Sequence, residues 1–200
     1  MALAEQIAVD SFDSKSITSN FLQEVAKLSS FEKGPLLVKE FLSKKGIKFF
    51  VLEGLKGSKI DGACFLDSSG SPVVVLTLRY DRIDYFWFTL LHELAHVYRH
   101  LDRTNSLIVD DLDSKENQNK IERQADIEAR NAFVPREIWK SSSAFITQTE
   151  AAVRDLARKQ GIHESIIAGL LRHDTGNYNL HSNLLGQNQV KTLFGVNSNE

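Results

Sequence analysis

The chain is poor in cysteine, proline and methionine, and its charges nearly cancel. Its single cysteine, Cys64, has no internal partner, which excludes a small secreted scaffold stapled by disulfides. The 24 basic and 26 acidic side chains leave a formal charge of −2, so the chain is neither a polycationic nucleic-acid tail nor a polyacidic disordered protein. No apolar run approaches the roughly 20 residues that a membrane-spanning helix needs. The stretch Met1–Asp10 carries acids where a signal peptide requires a basic region and an apolar core, so the expected compartment is the cytoplasm. Three prolines and no low-complexity segment leave little obvious linker. What is present is 42% apolar and 9% aromatic residues over 200 positions, enough for one sizeable core and one domain with a small appendage.

Apolar spacing predicts a helix over 16–28, capped by Ser16 or Thr18, and a second from Pro35 to Lys45, stopped by Gly46. Three short runs rich in Val, Ile, Phe and Leu follow, at 47–53, 60–66 and 72–78. They read as strands, the last two joined as a hairpin over Asp67–Gly70. From Arg82 or Asp84 to His100 runs a helix that is apolar on most of its circumference and should sit at the centre of the molecule. Residues 102–117 read as a polar surface loop, and a helix is predicted over 118–132. Two more, at 149–160 and 163–173, are broken by Gly161. The polar residues beyond Thr175 wrap over the body or stay partly disordered. The expectation is an α+β chain with a helical segment at 1–45, a main domain at 46–175 and a polar extension at 176–200.

Within the central helix lies His92-Glu93-Leu94-Ala95-His96, an H-E-x-x-H sequence. Residues four apart share a helix face, about 6 Å apart along the axis, so both imidazoles can converge on one ion. Zinc–nitrogen bonds of about 2.0–2.1 Å need that convergence. Glu93 is rotated about 100° from His92, outside the ligand geometry but within reach of a water beside the ion, where it can act as general base. Two histidines and a glutamate on so apolar a helix are costly to bury without a partner, and a dication supplies one.

A catalytic zinc takes a third protein ligand. His100 continues the row, but eight helical residues span about 12 Å and Val97-Tyr98-Arg99 has no glycine to break the helix, so His100 belongs at the edge of the site. Glu122 and Asp126 share a face of the next long helix: Glu122 can bind the ion while Asp126 accepts the free N–H of a ligating histidine. Asp110, Asp111, Asp113 and Glu116 are rivals for the third position, read as solvating charges.

These residues resemble the ImmA/IrrE-type metallopeptidases, in particular the form found as the C-terminal domain of HigA-like antitoxin or regulator proteins. The specific part is the aromatic lead-in and motif, Phe86-Trp87-Phe88-Thr89-Leu90-Leu91-His92-Glu93-Leu94-Ala95-His96. Individually weaker matches are Gly46–Val51, Asp61–Phe65, Leu76–Tyr80, Glu122–Asp126, Phe133-Val134-Pro135 and Ile166–Asp174, spanning about 46–175. The resemblance implies a zincin-like fold, with a small antiparallel or mixed sheet packed on the motif helix. It implies Zn²⁺ held by His92, His96 and Glu122, with Glu93 as base. It also implies a protein substrate, typically a helix-turn-helix repressor whose cleavage releases a stress-response or mobile-element operon. The chain departs from the family at Glu128, where an aromatic is usual. The helix-turn-helix domain that often precedes this module is also missing from the sequence, and the six lysines and six acids of residues 1–46 offer no basic surface for DNA.

Residues 153–172 have helix-turn-helix spacing, but Arg154, Arg158, Lys159 and Arg172 are matched by Glu150, Asp155, Glu164 and Asp174. An αα-hairpin packed on the body is the better reading, with no direct nucleic-acid contact. A hairpin closing over the site would bring Arg172 or His173 to a transition-state oxyanion; Tyr80, Tyr85 and Tyr98 are equal contenders. Strand 60–66 or 72–78, if it forms an open edge, would take an extended peptide as an added strand. Two functions follow: a cytoplasmic zinc endopeptidase cutting a regulatory protein, or a non-catalytic antitoxin or regulator module with a structural or vestigial metal site, acting by binding a toxin or repressor.

Overall fold

The computed structural model describes residues 8–54, 59–109 and 116–196. Helix α1 (Ser19–Lys27) starts where the Thr18 hydroxyl accepts from Phe21 N, and its Phe21, Leu22, Val25 and Ala26 form one buried face. Helix α2 (Gly34–Ser43) has Pro35 in its first turn, where a missing N–H costs nothing. Strands β1 (Lys48–Leu52), β2 (Gly62–Leu66), β3 (Pro72–Thr77) and β4 (Leu107–Val109) make a sheet in the order β1-β3-β2-β4. β1 runs parallel to β3, while β2 is antiparallel to both β3 and β4, so the sheet is mixed.

Helix α3 (Ile83–Arg99) lies against β2 and β3 and is flanked by α1, α4 (Glu116–Phe133) and α8 (Glu164–Thr175). Its buried residues include Phe86, Trp87, Leu90, Leu91, Leu94 and Ala95, but also Glu93 and His96. Ala125 and Ala129, both buried, keep the α4 surface low where it meets α3. Between α4 and α8 come the short helices α5 (Arg136–Ser141) and α6 (Ser143–Thr147), then α7 (Glu150–Gln160). Gly161, at φ 68°, takes the left-handed turn that ends α7 and folds α8 back. The pair is a hairpin whose second helix buries Ile166, Ile167, Ala168, Leu170 and Leu171 in the core. Helix α9 (Val190–Leu193) follows, and the tail packs onto the body. Leu184, Leu185 and Val190 are buried, and Asp81 Oδ1 accepts from Val190 N at 2.8 Å and Lys191 N at 3.0 Å.

Three expectations need correction. The 102–117 stretch contains β4, a strand of three residues that is recognisable only through its partners in β2. Residues 136–147, unassigned from sequence, are α5 and α6, each too short to show a period. Neither 60–66 nor 72–78 is an edge: β3 lies between β1 and β2, and β2 between β3 and β4. Among the described residues, no helix is long and apolar enough to cross a membrane.

The sheet is clipped by a buried ion pair, Lys48 Nζ to Asp67 Oδ2 at 2.7 Å, joining β1 to the β2–β3 turn. Asp67 Oδ1 also accepts from Ser69 N and Ser71 N, both at 2.9 Å. Burial pushes the Asp67 carboxyl up, but the bonds from Lys48, Ser69 and Ser71 outweigh it and hold the group at about 2. A depressed folded-state value stabilises the fold above the ordinary aspartate range near 3.8, and that contribution is lost as pH falls through about 2. Lys48→Met leaves the carboxylate buried without its cation. It should cost about 3–5 kcal/mol in urea unfolding at neutral pH, and acid unfolding should begin at higher pH than in the wild type.

Candidate metal centre

His92 and His96 stand one turn apart on α3, and Glu122 reaches them from α4. Their ligand atoms form a small triangle: His92 Nε2 to Glu122 Oε2 is 2.9 Å, His96 Nε2 to the same oxygen is 3.2 Å, and the two Nε2 atoms are 3.0 Å apart. Three ligands around a tetrahedral zinc, at bonds of about 2.0–2.1 Å, lie roughly 3.3 Å from one another. The triangle needs to open by only a few tenths of an ångström to fit. Among the described residues this is the one group of His, Cys, Asp and Glu side chains that meets the geometric test for a metal cluster. His96 is buried, while His92 and Glu122 keep partial exposure, so the cluster opens to solvent on one side.

The outer nitrogens are occupied in a way that orients the inner ones. His92 Nδ1 lies 2.9 Å from Asp126 Oδ1, and since a carboxylate only accepts, the ring donates from Nδ1 and turns Nε2 toward the triangle. His96 Nδ1 lies 3.0 Å from His100 Nδ1, whose Nε2 is 3.2 Å from Gln124 Oε1. The Gln124 carbonyl accepts from His100 Nε2, which leaves His100 Nδ1 to accept from His96 Nδ1, and His96 Nε2 is the nitrogen aimed at the triangle. Burial, ahead of the opposing bond to Gln124, holds His100 below the ordinary histidine value, consistent with this neutral form. His100 is therefore at the site edge, supporting a neighbour and standing outside the three residues of the triangle.

Charge in the cluster is arranged for a cation. Burial opposes a charged His92, but its bonds to Asp126 and Glu122 and the nearby Glu93 prevail and lift it to about 10. For Glu122, burial acts upward and the bonds from His92 and His96 carry it down to about 2. A proton on His92 thus occupies the place that a dication would compete for.

Glu93 faces the sheet beside this triangle and is 1% exposed. It packs onto β2 at Gly62, where an added Cβ would run into Oε1 and lie 2.8 Å from Cγ. Gly62 was not singled out from sequence; a glycine at a strand's first position carries no signal until the helix behind it is known. The same holds for Gln124, whose contact with His100 crosses from one helix to another.

The remaining candidates have other partners. Arg172 Nη1 donates to the Leu180 carbonyl at 3.2 Å, in a buried position facing Tyr178. His173 is exposed and lies 3.2 Å from Arg130 Nη1, beside Asp174, which also holds Arg130 and the Trp139 indole. Neither residue is among the three of the triangle. The Tyr85 hydroxyl bonds Asp61, Tyr80 accepts from Arg79 at 2.8 Å, and Tyr98 stacks under Arg99 at 4.1 Å. Asp110, Asp111 and Asp113 lie outside the described residues, and Glu116 enters as the first residue of α4. Glu128, where an aromatic was the expectation, accepts from Arg99 Nε at 2.7 Å and ties α4 to α3 beside the cluster.

His100→Ala removes the acceptor that sets the His96 tautomer without touching the triangle. Zinc affinity, measured by competition with a chromogenic chelator, should fall about 10–100-fold, and His100→Asn should recover part of it.

No curated protein matches this chain in sequence. A family model described as the IrrE N-terminal-like domain, Peptidase M78, matches residues 43–185, which takes in the sheet, the histidine pair, Glu122 and the α7–α8 hairpin. With that span and a mixed sheet packed on the histidine-bearing helix, the chain belongs to the ImmA/IrrE-type metallopeptidase family.

Proposed function

We propose that the chain is a zinc-dependent endopeptidase that cuts a regulatory protein in the cytoplasm, a helix-turn-helix repressor or a toxin–antitoxin partner. The observation that carries the reading is the triangle itself: three donor atoms from two helices converge, with both outer histidine nitrogens already committed to Asp126 and His100. In this reading His92, His96 and Glu122 hold Zn²⁺. When bound, the ion supplies Lewis acidity, lowering the pKa of a coordinated water from about 15.7 toward 7 and polarising the scissile carbonyl.

The chain's own residues supply the rest. The Glu93 carboxylate takes a proton from the attacking water as its oxygen bonds to the carbonyl carbon. The same carboxyl then returns that proton to the amide nitrogen as the C–N bond breaks, leaving a free amine and a carboxylic acid, which gives its remaining proton to solvent or to the amine. Asp126 and His100 keep the two imidazoles aimed while charge develops. Low water access around Glu93, which is buried between α3 and β2, strengthens its electrostatic coupling to the site. Membership in the peptidase family supports the reaction class, and the family resemblance supports a repressor as substrate.

The test is to incubate zinc-loaded protein with each repressor and each toxin or antitoxin encoded beside its gene, and to map products by mass spectrometry. Cleavage at a defined bond, stopped by chelation and restored by zinc, is the expected result. Full zinc occupancy with a stable complex and intact partners would overturn the peptidase in favour of a binding module.

A further inference from the structure

Helix α4 carries more than a metal ligand. Glu122, Asp126 and Arg130 follow at intervals of four and form one row along it, Arg130 standing two turns, about 12 Å, beyond Glu122. There α4, α5 and α8 frame a pocket of about 240 Å³. Val134, Trp139 and Leu170 are its buried apolar walls, and Ile127, 52% exposed, continues that surface outward. Its other walls include three cations, Arg130, Arg136 and Lys140, and no carboxylate. Asp174 stands behind them, already accepting from Arg130 Nη2 at 2.6 Å and Trp139 Nε1 at 2.9 Å, with Lys140 Nζ at 3.4 Å. Of the nearby acids on α4, Asp126 is bonded to His92 and Glu128 to Arg99, and Glu137 of α5 lies outside the pocket walls. One carboxylate against three cations leaves this end of α4 positive, in a chain of formal charge −2.

We infer that this pocket docks the protein partner, taking a segment in which one large apolar side chain is flanked by Asp or Glu residues. The pocket is smaller than the roughly 300–1,000 Å³ of a typical small-molecule site, so it receives a single side chain rather than a free ligand. That side chain lies on Val134 and Trp139 while its acidic neighbours face Arg130, Arg136 and Lys140. A phosphate backbone or an anionic lipid surface uses the cations alone and leaves the apolar walls bare. The docking stands apart from the peptidase reading, but its consequence rests on it: the docked partner is the substrate, held beside the centre that cuts it. An extended chain covers about 3.3 Å per residue. The separation of about 12 Å along α4 therefore puts the docked segment about four or more residues from the scissile bond.

The probe is a fluorescein-labelled peptide, Gly-Gly-Asp-Glu-Leu-Glu-Asp, titrated by anisotropy against the whole zinc-loaded protein at low salt. It should bind saturably, and replacing its leucine by serine should weaken it about tenfold, the loss of one partly buried leucine. Arg136→Glu reverses an exposed charge at the start of α5, where a glutamate suits the helix end, so the fold is kept. It should weaken the peptide about three- to tenfold. Ile127→Ser, also at an exposed position, should weaken it about threefold. On the partner that the wild type cuts, Arg136→Glu should raise KM by the same factor as it weakens the peptide, with kcat unchanged. A peptide that does not saturate, a serine peptide that binds as well as the leucine one, or binding indifferent to both variants overturns the inference. Poly(U) or phosphatidylserine vesicles that bind more tightly than the peptide, and lose that binding in Arg136→Glu, assign the pocket to RNA or a membrane and overturn it too. So does a concentration-dependent dimer broken by Arg136→Glu, which gives the pocket to a second copy. A wild type that cuts nothing overturns the peptidase reading alone, and the peptide titration still decides the docking.

Discussion

Glu93→Gln is expected to keep its metal and its fold while losing turnover by about 10²–10⁴-fold, the usual contribution of a positioned general base. The substitution changes almost nothing sterically. Glutamine fills the same space against Gly62, so the helix–sheet packing that buries position 93 survives. His92, His96 and Glu122 are untouched, and their triangle depends on Asp126 and His100 rather than on Glu93. What is lost is the capacity to accept a proton, which an amide lacks at any accessible pH. Stability should hold or rise, because a buried carboxylate gives way to a neutral group with a smaller desolvation cost. Three measurements on one preparation decide the matter: zinc per protein, the urea midpoint, and the rate of substrate cleavage. Loss of rate with the first two unchanged assigns the proton transfer to Glu93. A rate within about threefold of wild type would remove it from the reaction.

What could be read in the residues was whatever a single helix makes local. His92 and His96 share a face because α-helices repeat every 3.6 residues, and Glu122 and Asp126 pair for the same reason. The Thr18 cap and the Gly161 turn are likewise properties of a few consecutive residues. Features that depend on residues far apart in the chain were not legible. β4 is three residues whose strand character comes from pairing with Ala63–Phe65, so no alternation could announce it. The expectation of an open edge at β2 or β3 failed because strand order is set by pairing, and pairing is silent in a one-dimensional pattern. Arg172 and His173 were candidates on the condition that the hairpin closed over the site, a matter of tertiary packing. Arg172 is buried and bonds the Leu180 carbonyl, and Asp174 at the end of that helix bonds Arg130 and Trp139. Gly62 and Gln124 escaped for the same reason: each matters only through a residue on another element.

Gly62→Ala is where that non-local dependence should have its largest effect. A glycine inside a strand weakens it unless something needs the room, and here a side chain from α3 occupies it. An alanine Cβ would collide with Glu93 Oε1 and lie 2.8 Å from Cγ and 2.9 Å from Cδ, so one partner must move. β2 is held on both sides, Gly62 opposite Leu76 in β3 and the next residue, Ala63, opposite Val109 in β4, so shifting the strand means breaking ladder hydrogen bonds. Turning Glu93 off its rotamer from Cγ outward costs about 0.5–1.5 kcal/mol, roughly offset by the entropy that alanine removes from the unfolded chain. The fold therefore survives and the base is displaced. A shift of about 1 Å at a reacting group can cost 10²-fold, so turnover should fall by about that factor with zinc content and urea midpoint close to wild type. Because the loss runs through Glu93, it should vanish in the Glu93→Gln background: adding Gly62→Ala there should change the residual rate by less than about twofold, the non-additivity expected of two residues acting through one contact. An alanine variant with full turnover, or a loss that simply multiplies with that of Glu93→Gln, would mean that Gly62 does not control where the carboxylate sits.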